Sequence, residues 1–285
     1  MTGPVVVGLD GSPASVSAAR WAAREAVDRH LPLLLLHSWT TQPPNVPVPK
    51  EALSRQRYGG QVLRRAEAAL LESHPGLTLT SELVSAPADK ALVDLSDGAA
   101  LLVVGSRGHG PLAGFLLGSV SLHVLGLARC PAVTVRADDP AEGTDRHEIV
   151  VGVPEAGPAS DPLLEFAFAA AESRGARVRA VRALPLSSLL THPHGAHAEE
   201  GYEVDEQARL AAAVAPWREK FPGVAVTYHV ARGPAAQVVP AASAHSALTV
   251  VGRRRHSSPL SWKLGPVAHA ALHHVPCPVA VVPHD

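Results

Sequence analysis

Three glycines and two serines at fixed spacing could bind an anion. Gly105 and Gly108 are separated by two residues, and nine further residues lead to Gly118 and Ser119. Glycine lets the backbone approach a ligand closely and adopt a positive φ, because it has no Cβ. A helix that starts near Ser119 directs free N–H groups and a partial positive charge at a phosphate. The spacing therefore predicts a phosphate-binding loop, with the hydroxyls of Ser119 and Ser121 as further donors.

The flanking residues place this loop between a strand and a helix. Residues 101–104 form an apolar run that predicts a buried strand ending at Gly105. After Gly118, apolar residues at helical spacing predict a helix, with Ser119 as its expected N-cap. The apolar positions of that helix are Val120, Val124 and Leu127. A Gly-x-x-Gly pair alone is more often a tight turn, so the functional interpretation depends on this strand-to-helix context.

The pattern Gly105-x-x-Gly108, nine residues, then Gly118-Ser119 resembles the ATP-binding signature of the universal stress protein family. Residues 5–12 (VVVGLDGS) are similar to that family's first strand and aspartate, and residues 130–135 (CPAVTV) to its last strand. The resemblance implies an α/β fold with a doubly wound parallel sheet, Rossmann-like and of the adenine nucleotide alpha hydrolase-like type. It also implies the strand order 3-2-1-4-5, and ATP with Mg as the bound ligand.

The resemblance further implies how residues meet the nucleotide. Asp10 is expected to contact the ribose or a metal on the phosphates, and the backbone of Ser38 to meet the adenine. The alternative for Asp10 is a turn residue, since Asp-Gly is common in turns. Arg107 would reach a phosphate or, alternatively, remain an exposed loop side chain. The expected ATP-binding residues are Asp10, Ser38, Gly105, Arg107, Gly108, Gly118, Ser119, Val120 and Ser121.

An internal repeat indicates two copies of one unit. LLVVG at 101–105 returns as LTVVG at 248–252, and VVVG at 5–8 returns as IVVG at 149–152. Each copy alternates strands and helices, which predicts a parallel sheet covered on both faces. We predict tandem domains at residues 1–138 and 147–285. Ligands of such sheets bind beyond the carboxyl ends of the strands, where Asp10, Ser38 and Gly105 would converge.

The second copy departs from the signature. Asp10 is replaced by Pro154, Gly108 by Arg255 and Ser119 by Pro266. Proline at the helix start removes a backbone donor together with the hydroxyl. Arginines 253–255 would attract an anion without the loop geometry, or form a solvated face. We therefore predict that only the first domain binds nucleotide and that the second is mainly structural.

Composition and charge narrow the classes of partner. The 285 residues carry a formal net charge of -1, which argues against nucleic acid and anionic membrane as partners. The apolar runs are too short to span a bilayer, and two cysteines without a secretory leader predict a cytoplasmic protein. The expected association is intramolecular pairing of the domains through residues 132–135 and 279–282, with a homodimer as a further possibility. The sequence names no protein partner.

The sequence predicts no catalytic residue. It has no Walker-type lysine in the loop and no Gly-x-Ser-x-Gly elbow. His109 as a general base and residues 192–197 as metal ligands are alternatives to solvated loop histidines. The equivalent positions of Cys130 and Cys277 favour a shared packing role. We therefore expect an ATP-linked sensing or regulatory protein, with a slow ATP hydrolase or phosphotransfer enzyme, and a nucleotide-free interaction scaffold, as alternatives.

Overall fold

The computed structural model describes residues 3–39, 50–106, 117–137, 147–154, 157–184, 195–255 and 263–285. Within these ranges, the side chains of residues 50–52, 158 and 195–202 are outside the description. The described residues form two compact units, one in each half of the chain. The bounds 1–138 and 147–285, and the pairing of the two halves through their last strands, stay predictions.

The first unit is a parallel sheet with helices between its strands. Its strands are β1 (Val5–Gly8), β2 (Leu33–Ser38), β3 (Leu79–Val84), β4 (Leu101–Gly105) and β5 (Ala132–Val135). Its helices are α1 (Pro13–Asp28), α2 (Lys50–Ser73), α3 (Ala88–Leu95) and α4 (Ser119–Leu127). All neighbouring strands are parallel, in the order β3-β2-β1-β4-β5. The expected order 3-2-1-4-5 is confirmed.

The second unit repeats this topology. Its strands are β6 (Glu148–Gly152), β7 (Arg177–Leu184), β8 (Val226–Arg232), β9 (Leu248–Arg254) and β10 (Val279–His284). Its helices are α5 (Asp161–Arg174), α6 (Gly195–Lys220), α7 (Ala235–Ala242) and α8 (Pro266–His274), with a short 3-10 turn at Pro158–Ser160. The parallel order β8-β7-β6-β9-β10 is again 3-2-1-4-5 counted within the unit. The tandem, doubly wound α/β architecture is confirmed.

Apolar strands and a small-residue helix build the first core. Residues 5–7, 33–36 and 101–104 are buried throughout, as expected for strands covered on both faces. Helix α1 begins after Ser12, its N-cap, which accepts a hydrogen bond from the Ser15 N–H at 3.2 Å. The side of α1 that packs on the sheet is mostly alanine, which lets its backbone approach β4 closely.

Strand register defines equivalent positions in the two units. Gly8 of β1 pairs with Leu36, and Gly152 of β6 pairs with Val181. The next residues along the second strands, His37 and Arg182, are therefore equivalent. Helices α2 and α6 end at equivalent positions, each two residues before a Pro-Gly pair. Counting back from these ends makes Gly59 of α2 equivalent to Glu206 of α6.

Candidate functional site

Asp10 lies in the turn between β1 and α1. Its Oδ1 accepts a hydrogen bond from the Ser12 N–H at 2.9 Å, which closes a side-chain turn. Gly11, between them, has φ +84°, a conformation that other residues rarely adopt. Asp10 thus forms a turn that fixes its carboxyl group at the carboxyl end of the central strand, and its predicted contact with a nucleotide stays a prediction.

Ser38 ends β2 at the same edge of the sheet. Its hydroxyl donates a hydrogen bond to the carbonyl of Ala86, just before α3. The next N–H, of Trp39, donates to the carbonyl of Val84 at 3.2 Å. The Ser38 side chain is therefore engaged within the protein, and any contact of this residue with a ligand falls to its backbone.

Gly105 has a packing role that the sequence analysis did not assign. A Cβ at this position would lie 2.8 Å from both the Ala14 carbonyl carbon and the Ser15 nitrogen, in the first turn of α1. Backbone atoms cannot move away as a flexible side chain can. Glycine at the end of β4 is therefore required for contact between this strand and α1, whether or not a ligand binds.

Two hydrogen bonds hold the start of α4 beside the end of β4. The Gly118 N–H donates to the Ser106 carbonyl at 3.0 Å, which joins the two ends of residues 107–116. The buried Ser121 hydroxyl donates to the Gly105 carbonyl at 2.7 Å. The Ser121 hydroxyl is thus occupied internally, and the helix N-terminus lies next to the carboxyl end of the fourth strand.

Three sequence expectations for α4 are corrected. The N-cap is Gly118, and Ser119 is the first helical residue, with no side-chain capping hydrogen bond. Gly118 has φ -66° and ψ 150°, so this position needs no positive φ. Val120 is 36% exposed instead of packed on the sheet, because the helix turns Val124 and Leu125 inward. Ser119 is likewise exposed.

The topology brings most of the predicted residues to one edge. Asp10, Ser38, Gly105 and the first turn of α4 all lie at the carboxyl ends of adjacent parallel strands. The first N–H groups of α4 have no acceptor within their own helix. Arg107, Gly108 and His109 lie outside the described residues, so their predicted roles stay predictions.

His37 is a buried titratable group at this edge that the sequence analysis missed. It is 5% exposed, and its ring lies against Gly59, where a Cβ would collide with its Cδ2. Burial lowers the pKa of His37, partly offset by the Leu9 backbone and by the negative charge of Asp10. The Tyr58 hydroxyl donates to the Asp10 carbonyl at 3.4 Å. The available signal was a histidine inside an otherwise apolar strand.

The second unit presents different groups at the same edge. Pro154 stands where Asp10 does, and Pro266 is the first residue of α8, as Ser119 is of α4. Arg182 replaces His37 and forms an ion pair with Glu206, Nη1 to Oε2, at 3.2 Å. The structure thus puts the sequence departures of the second copy at the positions equivalent to the candidate site.

Neither cysteine resembles a nucleophile. Cys130 and Cys277 are buried free thiols, and burial raises the pKa of Cys130 to about 12. Among the described residues, no group of three or more His, Cys, Asp or Glu side chains could hold a metal ion. Within the same ranges, no helix is long and apolar enough to cross a membrane.

These features define a class of protein with two tandem α/β domains. The two domains differ at the start of the fourth helix, where the first has a serine and the second a proline. The universal stress protein family model matches residues 1–136 and 146–283. A universal stress protein of Mycobacterium tuberculosis is 34% identical over 286 residues, covering 97% of this chain and 95% of that protein. A Mycolicibacterium smegmatis universal stress protein is 32% identical, covering 98% of this chain and 96% of its own.

The fold agrees with this match. The crystal structure of a universal stress protein from Archaeoglobus fulgidus superimposes with a TM-score of 0.72 at 15% identity, covering 99% of this chain and 96% of that one. The chain belongs to the universal stress protein family and carries two tandem family domains.

Proposed function

We propose that the first unit binds ATP at the carboxyl edge of its sheet and that the protein responds to nucleotide as a regulator in stress. The observation that carries the proposal is the helix start at Gly118-Ser119. Ser119 is exposed there and Gly118 is half-buried, and two hydrogen bonds hold this helix start beside the end of β4. A helix N-terminus in this position favours phosphate through its N–H groups and its partial positive charge.

The other groups at the edge fit the rest of a nucleotide. Asp10 offers a carboxylate to the ribose or to Mg, which proteins often bind through one or two carboxylates together with substrate phosphates. The fixed turn around Asp10 holds that carboxylate beside the central strand. The Ser38 hydroxyl is bonded to Ala86, so the adenine would meet the Ser38 backbone.

The test is calorimetric titration of ATP into the full chain and its variants. Losing one hydrogen bond to a charged ligand costs about 1.5–3 kcal/mol, or about ten- to a hundredfold in affinity. We expect Ser119→Ala to weaken ATP by that factor and adenosine far less. We expect Gly118→Val to be more severe, because its branched side chain blocks the phosphates from the helix start. The negative φ at Gly118 makes normal folding of this variant the expectation.

Arg254→Ala is the matched control, since Arg254 lies in the second unit at the position equivalent to Arg107. It should leave ATP affinity unchanged. A Gly118→Val protein that folds normally by circular dichroism and binds ATP at wild-type strength would refute the proposed site.

Stoichiometry and turnover separate the alternatives. One ATP per chain is expected, because the second unit lacks the aspartate and the serine. Two sites of similar affinity would contradict the asymmetry, and no binding would favour the scaffold. ATP hydrolysis that Ser119→Ala abolishes would favour the slow enzyme.

A further inference from the structure

A cleft of about 540 Å³ opens at the carboxyl edge of the second sheet. Its volume falls in the range of small-molecule sites, about 300–1,000 Å³. We call it the β7 cleft because residues 181–184 form one wall. Its other walls come from β6, α6, α7, β9, the start of α8 and β10. Its apolar side chains include Val153, Val181, Leu184, Ala235, Val239 and Val267.

A charged cluster lies within the β7 cleft. Arg182 and Glu206 are 5% and 7% exposed. Arg182 donates from Nη2 to the Pro154 carbonyl at 2.8 Å, in addition to its ion pair with Glu206. The other carboxylate oxygen of Glu206 pairs with Arg209 Nη1 at 2.6 Å. Both oxygens of the one carboxylate are thus engaged by arginines.

The cluster carries more positive than negative charge. The charged side chains that line the cleft are Arg182, Arg209 and Glu206, two cations against one anion. The buried Nε of Arg182 has no hydrogen-bond partner in the part of the chain that the structure describes. Because two arginines face one carboxylate, the cleft has a surplus positive charge that favours an anionic ligand. Arg209 has a 64% exposed side chain at the mouth, with further guanidinium donors for such a ligand.

We propose that the β7 cleft binds a small organic monoanion with a compact apolar body, of the carboxylate or sulfonate class. The anionic group lies at the mouth against Arg209, above the buried Arg182–Glu206 pair. The apolar body packs against Val153, Val181 and Val239. A triphosphate fits less well, because the surplus is a single charge and Pro266 offers no N–H at the helix start.

This proposal is independent of ATP binding by the first unit and is tested separately from it. The probes are 1-anilinonaphthalene-8-sulfonate, a fluorescent aromatic monoanion, and N-phenyl-1-naphthylamine, the same body without the charge. Each is titrated into the full chain with and without saturating ATP. We expect one sulfonate probe per chain, bound at least about tenfold more tightly than the neutral probe, as loss of a charged hydrogen bond predicts. ATP should not displace it.

Three variants sharpen the test. Arg209→Gln should weaken the sulfonate probe about tenfold and leave the neutral probe unchanged, because the cation that pairs with the sulfonate is lost while the apolar walls remain. Arg218→Gln, an exposed arginine of the same helix outside the cleft, is the matched control and should change neither. Ala235→Trp, at a half-buried position of the wall, should fill the cleft and weaken both probes.

Three results would overturn the proposal. The first is equal affinity of the two probes for the wild-type chain. The second is an equal loss of sulfonate affinity in Arg209→Gln and Arg218→Gln, which would indicate unspecific surface attraction. The third is displacement of the probe by ATP, which would place it in a nucleotide site.

Discussion

The two units place different pairs of residues at the same contact between the second strand and the second helix. In the first, the His37 ring lies against Gly59, and in the second, the Arg182 guanidinium reaches Glu206. The members of each pair come from the second strand and second helix of the unit. One member cannot change alone: a side chain at Gly59 would collide with His37, and Arg182 without Glu206 would lose its one ion-pair partner in the described structure.

The duplicated units have diverged at the carboxyl edges of their sheets. The backbone topology is the same, and Gly105 of β4 and Gly252 of β9 occupy equivalent positions. Gly105 is required by the backbone of α1, whereas a Cβ at Gly252 would meet the His284 ring at 2.8 Å and Leu163 at 3.1 Å. The framework is therefore retained while the chemistry at the edge changes from a buried histidine ring packed against a glycine to an ion-paired cluster.

Removing Glu206 should have the largest effect on stability. Glu206→Ala leaves the buried Arg182 unpaired, which typically costs about 3–5 kcal/mol in the free energy of unfolding. Replacing both residues with leucine should recover most of that loss, because a well-packed apolar pair avoids the desolvation penalty. The measurement is urea unfolding followed by circular dichroism.

The matched control for this ion pair lies on the same helix. Glu203 pairs with Arg232 at 2.6 Å, but both side chains are partly exposed, at 46% and 31%. Glu203→Ala should therefore cost no more than about 1 kcal/mol. Equal losses for Glu203→Ala and Glu206→Ala would contradict the assigned difference between the buried and exposed pairs.

Gly105→Ala should destabilise the first unit by about 1–3 kcal/mol, as overpacking typically does. The reason is the 2.8 Å approach of the new Cβ to the α1 backbone. Gly76→Ala is the control, since no atom lies within 4 Å of its Cβ position. If both variants unfold at the same urea concentration as wild type, the close contact between β4 and α1 is not limiting.

His37 should make the first unit sensitive to acid in a way that Arg182 does not. Its folded pKa lies below the usual 6.5, so the unfolded chain takes up the proton first. Stability should therefore be complete above about pH 6.5 and fall as the pH drops towards the folded pKa, by at most about 1.4 kcal/mol per pH unit. Unfolding free energies of wild type and His37→Gln, measured between pH 5 and about pH 8, should converge as the pH falls.

The exposed His245 supplies the control for this pH series. His245→Gln should leave the wild-type pH dependence unchanged. A His37→Gln protein with the full wild-type slope would show that other groups cause the loss of stability in acid.

The smallest expected signal is thiol labelling of the native chain, because both cysteines are buried. Cys130 has a pKa of about 12, so at pH 8 only about one molecule in ten thousand carries its thiolate. Cys277 is enclosed by the hydroxyls of Ser246 and Thr249, at 3.2 and 3.3 Å. A disulfide reagent should label neither cysteine in the native chain and both in denaturant. Rapid labelling of either cysteine in the native chain would contradict the burial of both thiols.

Most of the framework follows from the sequence. The apolar runs predicted the central strands because a strand covered on both faces must be apolar throughout, and the repeat predicted two units of one topology. The turn at Asp10 and the cap at Ser12 were also predictable, since both depend on bonds between neighbouring residues. The family resemblance supplied the strand order and the expected ligand.

Other features depend on contacts between residues distant in the chain. Gly118, and not Ser119, is the N-cap of α4, and its N–H is bonded to the carbonyl of Ser106, twelve residues earlier in the chain. Arg182 meets Glu206, and His37 meets Gly59, only after a strand and a helix have packed together. Local propensities therefore determined the framework of each unit, and tertiary packing decided which side chains meet at the carboxyl edge of its sheet.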